Sequence, residues 1–304
     1  MQPLRIGLIG WGTMGAAFGE LVQGGPMPVS LVTIAVRDPA RARAIPMPDG
    51  VEVVRPEAAL DADVVVELAG GVDGPLAWAR ATLERGIPYV TANKALLATH
   101  GAELSSLATA NGAALLASAS VGGGTPMIET TTHLAATGRI ERMRGVVNAT
   151  TTYILSAMGN GRTYDEALRE AQDAGYAEAD PSLDVDGRDA AQKLAILASV
   201  AWGRWLPETA VDTTGIVGLD VPRGETIRLV AEATADGRRV APTGIDPDDP
   251  LARVTGVENL LELTMRDGAI FRVSGPGAGG PACVTAVYAD VARLVAGERP
   301  ILFG

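Results

Sequence analysis

Between Gly175 and Leu197 the chain reads Gly-Tyr-Ala-Glu-Ala-Asp-Pro-Ser-Leu-Asp-Val-Asp-Gly-Arg-Asp-Ala-Ala-Gln-Lys-Leu-Ala-Ile-Leu, a carboxylate-loaded stretch that runs into an apolar one. Asp189 and Lys193 are four residues apart, so on a helix beginning near Gly187 they share one face, with Leu194, Ile196 and Leu197 available as core contacts. Two readings of that spacing stand side by side. One is an ordinary ion pair on a solvated helix face, worth ~0.3–0.5 kcal/mol. In the other, Lys193 donates a proton to a reacting oxygen while Glu178 and Asp184, on the preceding stretch, accept hydrogen bonds from a substrate ammonium.

A second lysine, Lys94, closes Thr91-Ala92-Asn93-Lys94 directly after an apolar strand pattern. That is the ligand-binding end of a parallel sheet, although a surface lysine after a turn reads the same way. The run Ser118-Ala119-Ser120-Val121-Gly122-Gly123-Gly124-Thr125-Pro126 frees the backbone to present carbonyls to a cation or amides to a ligand, and equally suits a hinge. His100 and His133 have no partner pattern and read as structural or solvated, and no Ser–His–Asp or cysteine nucleophile is legible.

Gly10-Trp11-Gly12-Thr13-Met14-Gly15 fits G-x-G-x-x-G and lies between an apolar strand, Arg5–Ile9, and a helix pattern, Ala16–Val22. In that context the first glycine permits a tight turn, the second lets the backbone approach a pyrophosphate, and the third allows close helix–strand packing at a positive helix end. The next strand ends Ala35-Val36-Arg37-Asp38, about twenty residues on, where an acid would hold the ribose hydroxyl of NAD. Arg37 comes first there, with Arg41 and Arg43 nearby, and a guanidinium matches phosphate oxygens, so NADP is favoured over NAD, with Asp38 as the NAD alternative.

These groups need a scaffold. Short apolar runs at Arg5–Ile9, Leu31–Val36, Val51–Val54, Asp63–Leu68, Tyr89–Thr91 and Ala114–Ala117 alternate with helix-like stretches, which is the pattern of stacked βαβ units. The predicted fold class is α/β: an N-terminal Rossmann parallel sheet over residues 1–125, then a second α+β catalytic domain over 126–279. The second domain reads as a helix, a strand near Arg142–Val147, a helix from Thr150, a long polar segment, the helix Arg188–Ala201, and strands Ile227–Ala233, Leu260–Met265 and Ile270–Val273. A last helix, Cys283 to about Val295, follows a glycine cluster and is expected to return with 280–304 to the first domain.

At 304 residues and 47% hydrophobic, the chain can build one or two real cores. A formal charge of −11 with no basic stripe argues against nucleic acid as a partner. No apolar run reaches the ~18 residues of a membrane span, and one cysteine, Cys283, cannot close an intrachain disulfide. The start runs into a strand pattern without a signal-peptide core, so a cytoplasmic location is expected.

Gly10–Gly15, Thr91–Lys94, Val121–Pro126, Gly145–Leu155, Gly175–Lys193 and Gly275-Pro276-Gly277-Ala278-Gly279-Gly280, in that order along nearly the whole chain, resemble the homoserine dehydrogenases. The resemblance implies reversible reduction of L-aspartate 4-semialdehyde to L-homoserine, in threonine and methionine biosynthesis, with NADP or NAD. It implies Lys193 as proton donor, Asp189 as its partner, and Glu178, Asp184 and Thr150 as substrate contacts. Lys94 would lie beside nicotinamide and substrate, with Thr91 and a backbone contact at Gly279 adding to the cofactor site. A monovalent cation, sodium or potassium, would sit on carbonyls of Val121, Gly123 and Thr125, and the second domain's sheet would form a homodimer. Three departures stand out: Ser118 where a glutamate commonly precedes the cation loop, and Ala149 and Thr152 within Asn148-Ala149-Thr150-Thr151-Thr152 where Asn-Gly-Thr-Thr-Asn is usual. After Gly280 there is room for one helix, so no kinase or regulatory module is expected. A different amino-acid oxidoreductase, or a nucleotide-sensing protein that has lost its chemistry, are the competing readings.

Overall fold

The computed structural model describes residues 2–41, 44–277 and 280–303, so Arg43 and Gly279 lie outside the described residues. The chain divides into two units, 1–124 with 279–304, and 125–278.

The first unit opens with β1 (Leu4–Ile9), α1 (Thr13–Gly24), β2 (Val29–Ala35), β3 (Glu52–Val54) and β4 (Val64–Glu67). It continues through α2 (Asp73–Glu84), β5 (Tyr89–Thr91), α3 (Lys94–Asn111) and β6 (Leu115–Leu116). The strands form one sheet in the order β3-β2-β1-β4-β5-β6, with every pairing parallel. Alternation along the strands sends side chains to two cores. Ile6, Leu8, Val64 and Val66 pack with Phe18 and Val22 of α1 on one face, while Ile9, Val65 and Tyr89 pack with Leu83 of α2 and Leu96 and Leu104 of α3 on the other. Burial on both faces is why these strands read as continuous apolar runs. Between β2 and β3 no helix occurs among the described residues; Pro39, Pro46 and Pro48 remove backbone donors there.

The second unit contains α4 (Met127–Ala135), β7 (Ile140–Val146), α5 (Ala149–Gly159), α6 (Tyr164–Asp173), α7 (Ser182–Val185) and α8 (Arg188–Trp202). Strands β8 (Asp212–Thr213), β9 (Ile227–Thr234), β10 (Arg238–Gly244), β11 (Glu258–Met265) and β12 (Ile270–Pro276) follow. Its sheet runs β12-β11-β7-β9-β10-β8 and is antiparallel except where β8 pairs with β10. Helix α8 is buried nearly all round, with Ala190, Leu194, Ile196, Leu197 and Ala201 among its buried residues. It packs between α4 and the β9–β10 pair, as expected of a helix apolar on every side. The last helix, α9 (Gly280–Val295), belongs to the first unit and buries Val284, Val287, Val291 and Leu294 in the core shared with α1. The expected α/β class, with a parallel Rossmann sheet, a second α+β unit and a returning last helix, matches this architecture.

Candidate active site

In the first unit the strand order reverses between β1 and β4, and the crevice outside the carboxyl ends of such strands is where ligands bind. A cleft of about 490 Å³ lies there, lined by Gly10, Trp11 and Gly12 after β1, Val36, Arg37, Asp38 and Arg41 after β2, and Leu68 and Ala69 after β4. Gly10 has φ +103°, and a Cβ on it would come within 2.8 Å of the backbone of Leu68 and Ala69. A Cβ on Gly15 would meet the Gly10 carbonyl at 2.1 Å, whereas Gly12 faces open space and is exposed. The loop therefore leaves bare backbone toward the cleft at Gly12 and closes tightly behind it, which fits a dinucleotide pyrophosphate. Helix α1 begins at Thr13, three residues earlier than the expected Ala16, so Thr13, Met14 and Gly15 form its positive end. The Trp11 indole donates to the Ile45 carbonyl at 3.2 Å.

Arg37 is exposed and lines the cleft without an ion-pair partner among the described residues, while Asp38 accepts from its own turn, the Ala40 N–H, at 3.1 Å. Lys94 is the first residue of α3 and half-buried; Thr91 is buried at the end of β5. A residue given no role by its sequence position, Glu67, ends β4 with 0% exposure and accepts from Ala69 N at 2.7 Å, Gly70 N at 2.9 Å and Thr91 Oγ1 at 2.7 Å. Burial first, and the Glu67 charge second, push the neighbouring Tyr89 phenol well above its ordinary range. The signal was present: an acid closing the run Val64-Val65-Val66-Glu67 at the ligand-binding end of a strand.

In the second unit the chemistry converges on the end of β7. Lys193 Nζ donates to Asp189 Oδ2 and to the Val147 carbonyl, each at 2.7 Å, and the two side chains are only 13% and 10% exposed. That burial removes the reading of a solvated surface pair. Asn148, 4% exposed, uses its two amide protons on Asp184 Oδ1 at 2.7 Å and Asp189 Oδ2 at 2.8 Å, and its Oδ1 caps α5 by accepting from Thr151 N at 2.8 Å. Thr150 Oγ1 lies 2.6 Å from the Tyr176 carbonyl and 3.0 Å from Asp184 Oδ2. Tyr176 is stacked on Tyr153 with ring centroids 4.7 Å apart, which steadies the segment leading to Asp184. Lys193, Asp189, Asp184 and Thr150 thus form one bonded cluster. Glu178 does not join it: it is exposed, its carbonyl accepts from Gln172 Nε2 at 3.1 Å, and its carboxylate has no hydrogen bond or ion pair among the described residues. Asn148 and the Val147 carbonyl were missed as site groups. An Asn before a Thr run is a helix-cap signal, but nothing in local spacing announces bonds to residues 36 and 41 positions away.

The departures also find places. Ser118 is buried, and its N–H and Oγ donate to Asp290 Oδ2 and Oδ1 at 2.9 and 2.6 Å, so a carboxylate reaches this position from α9. Ala149 is the first residue of α5 and needs no left-handed backbone. Thr152 turns its hydroxyl onto the Asn148 carbonyl at 2.8 Å. Val121 is buried, Gly122 and Gly123 have φ of +79° and +59°, and Thr125, the first residue of the second unit, donates from Oγ1 to the Pro276 carbonyl at 3.2 Å.

Residues 126–292 match the family model described as homoserine dehydrogenase, and residues 10–118 match the homoserine dehydrogenase NAD binding domain. A homoserine dehydrogenase of Synechocystis sp. is 36% identical over 97% of this chain and 74% of its own length. The chain belongs to the homoserine dehydrogenase family. Among solved structures, a homoserine dehydrogenase from Thiobacillus denitrificans superposes with TM-score 0.89 at 32% identity, covering 97% of this chain and 74% of that one. A hyperthermophilic archaeal homoserine dehydrogenase in complex with NADPH gives TM-score 0.87 at 28% identity over 99% and 100% of the two chains. Family membership makes this chain an oxidoreductase with a nicotinamide-nucleotide-binding domain. Among the described residues no helix is long and apolar enough to cross a membrane.

Proposed function

We propose that this chain interconverts L-aspartate 4-semialdehyde and L-homoserine, with Lys193 as the proton donor at the carbonyl oxygen and the first unit as the nucleotide site. The observation that carries the assignment is the state of Lys193. An ammonium has three N–H groups; Asp189 and the Val147 carbonyl take two, and the third has no partner among the described residues. A positioned, nearly buried donor with one free proton is what an oxygen gaining negative charge requires. The nicotinamide nucleotide, when bound, supplies or accepts the hydride. In the oxidative direction Lys193 takes up the hydroxyl proton. Asp184, whose carboxylate is already fixed by Asn148 and Thr150, accepts from the substrate ammonium, with Glu178 as a second acceptor. Gly10 to Gly15 would hold the pyrophosphate, and Thr91 and Lys94 would border the nicotinamide. The test is absorbance at the reduced-nicotinamide band: turnover with homoserine supports the assignment, and its absence with either cofactor ends it.

The preference for NADP is supported by Arg37, which has no ion-pair partner among the described residues while Asp38 is engaged in its own turn. Arg37→Asp is expected to weaken NADP relative to NAD by about 2 kcal/mol, roughly 30-fold, since it removes a phosphate partner and adds a like charge. An unchanged ratio of the two dissociation constants would move the preference to Asp38 and NAD.

The proposal includes a monovalent cation, sodium or potassium, on the carbonyls of Val121, Gly123 and Thr125, supported by the two left-handed glycines and by a site that depends on carbonyl placement more than on charge. Turnover indifferent to replacing every alkali cation by tetramethylammonium would remove it. A homodimer through the second unit's sheet is the proposed assembly, and Ile270 and Phe271, 49% and 45% exposed on the edge strand β12, support a further contact surface there. Light scattering giving a monomer mass would overturn it.

A further inference from the structure

We propose that Glu67 is a positioning residue for the nucleotide site, its buried carboxylate fixing the wall of the cleft and the start of the helix that carries Lys94 to one another. The inference rests on reading the first unit as the nucleotide site.

A carboxylate with no exposure is costly unless it is paired or fully hydrogen-bonded. No cation forms an ion pair with Glu67 among the described residues; three donors satisfy it instead, Ala69 N and Gly70 N on Oε1 and the Thr91 hydroxyl on Oε2. The Thr91 hydroxyl donates to Glu67 Oε2, and its oxygen in turn accepts from Asn93 N at 3.0 Å. Asn93 then donates from Nδ2 to the Gly71 carbonyl at 2.6 Å and accepts on Oδ1 from Leu96 N at 3.1 Å, capping α3.

The bonds close a ring from Glu67 through Gly70 and Gly71 to Asn93, Thr91 and back to Glu67. It ties two segments that follow neighbouring strands: residues 68–71 after β4, and 91–94 after β5. The first segment is not remote from the cleft. Leu68 and Ala69 line it, and their backbone is what approaches the Gly10 Cα so closely that a Cβ would sit 2.8 Å away. The second segment sets the position of Lys94 at the first turn of α3. Loops with two consecutive left-handed glycines, Gly70 at φ +69° and Gly71 at φ +84°, have little stiffness of their own. The carboxylate supplies it. An apolar side chain of equal volume would fill the space and leave the two loop N–H groups and the Thr91 proton without acceptors.

Trp11 and Trp78 line the cleft, so tryptophan fluorescence of the full chain reports nucleotide binding directly. In titrations with NADPH and NADH, Glu67→Gln keeps an acceptor for the loop N–H groups but sets an NH2 against Thr91, and raises both dissociation constants by about 3–10-fold. Glu67→Ala raises them by roughly 30–100-fold, while the KM for homoserine at saturating nucleotide stays within about twofold. Asn93→Asp retains the cap on Leu96 but loses the donor to Gly71, and is expected to raise the dissociation constants about fivefold, with a smaller fall in melting temperature than Glu67→Ala. If Glu67→Ala does not fold, the Gln and Asn93→Asp variants decide. Folded variants that bind nucleotide like the parent, or that lose nucleotide binding and homoserine KM together in step with melting temperature, would overturn the proposal. A parent chain that binds neither nucleotide would overturn the nucleotide reading and this inference with it, whereas a parent that binds and variants that bind equally would sink only the role of Glu67.

Discussion

Lys193→Ala is expected to lower kcat by roughly 10²–10⁴-fold, the usual worth of a positioned general acid, with the dissociation constant for NADPH near that of the parent. The reasoning starts from burial. At 13% and 10% side-chain exposure the Lys193–Asp189 pair is shielded from most of the screening that makes surface pairs worthless, and the lysine is directed twice over, by the carboxylate and by the Val147 carbonyl. Truncation removes the only proton donor in the cluster that carries a positive charge. It also strips from Asp189 the ammonium it pairs with at 2.7 Å, so a stability cost of about 1–3 kcal/mol accompanies it. Activity and stability are separable because Asp189→Asn, which keeps the lysine, should lose less turnover than Lys193→Ala while changing the melting temperature by a similar amount. Stopped-flow single turnovers with saturating nucleotide measure the chemical step alone. A Lys193→Ala chain turning over within about threefold of the parent would transfer proton donation to Lys94.

What could be read in advance divides along physical lines. Strands β1, β2, β4 and β5 were legible because both faces of their sheet are covered, so their apolar runs are unbroken. Strand β10 was not: Arg238, Arg239, Pro242 and Gly244 break any strand pattern. It forms because β9 supplies a full-length antiparallel partner while the other side meets only the two-residue β8, so the missing Pro242 donor is cheap. Helix α6, inside the long polar segment, had a visible Thr163–Glu166 capping box that pattern reading by hydrophobicity passes over. At the site, the Asp189–Lys193 spacing and the glycine loop were local and therefore readable. Asn148 with Asp184 and Asp189, and Ser118 with Asp290, join segments 36 to 172 residues apart, and Val147 acts through a carbonyl that every residue possesses. Chemistry carried by backbone or by distant pairs leaves no spacing to count.

The second large effect is expected at Asn148, where a single isosteric change tests the whole cluster. Asn148→Asp replaces two N–H donors by oxygen at 2.7 Å from Asp184 and 2.8 Å from Asp189, placing three carboxyl groups at hydrogen-bond distance. The cap on α5 survives, because the Oδ1 that accepts from Thr151 N is retained and Asp caps as well as Asn. Near pH 7.5 the loss should therefore be electrostatic: about 2–4 kcal/mol of stability and roughly 10²–10³-fold in kcat/KM, because Asp184, the proposed acceptor for the substrate ammonium, and the partner of Lys193 both shift. The pH dependence separates this from simple truncation. Mutual repulsion raises the proton affinity of the added carboxyl in the folded chain above its unfolded value. A group shifted that way contributes stability that is fully present below the unfolded carboxylate range and lost as pH rises through the raised folded value. Asn148→Asp should then regain melting temperature, relative to the parent, as pH falls from 8 toward about 5, while Asn148→Ala, which adds no titrating group and only strips donors from Asp184 and Asp189, should show a weaker dependence. Parallel melting curves for the two variants across that range would mean that the three side chains do not meet as the cluster requires, and that Asn148 serves α5 alone.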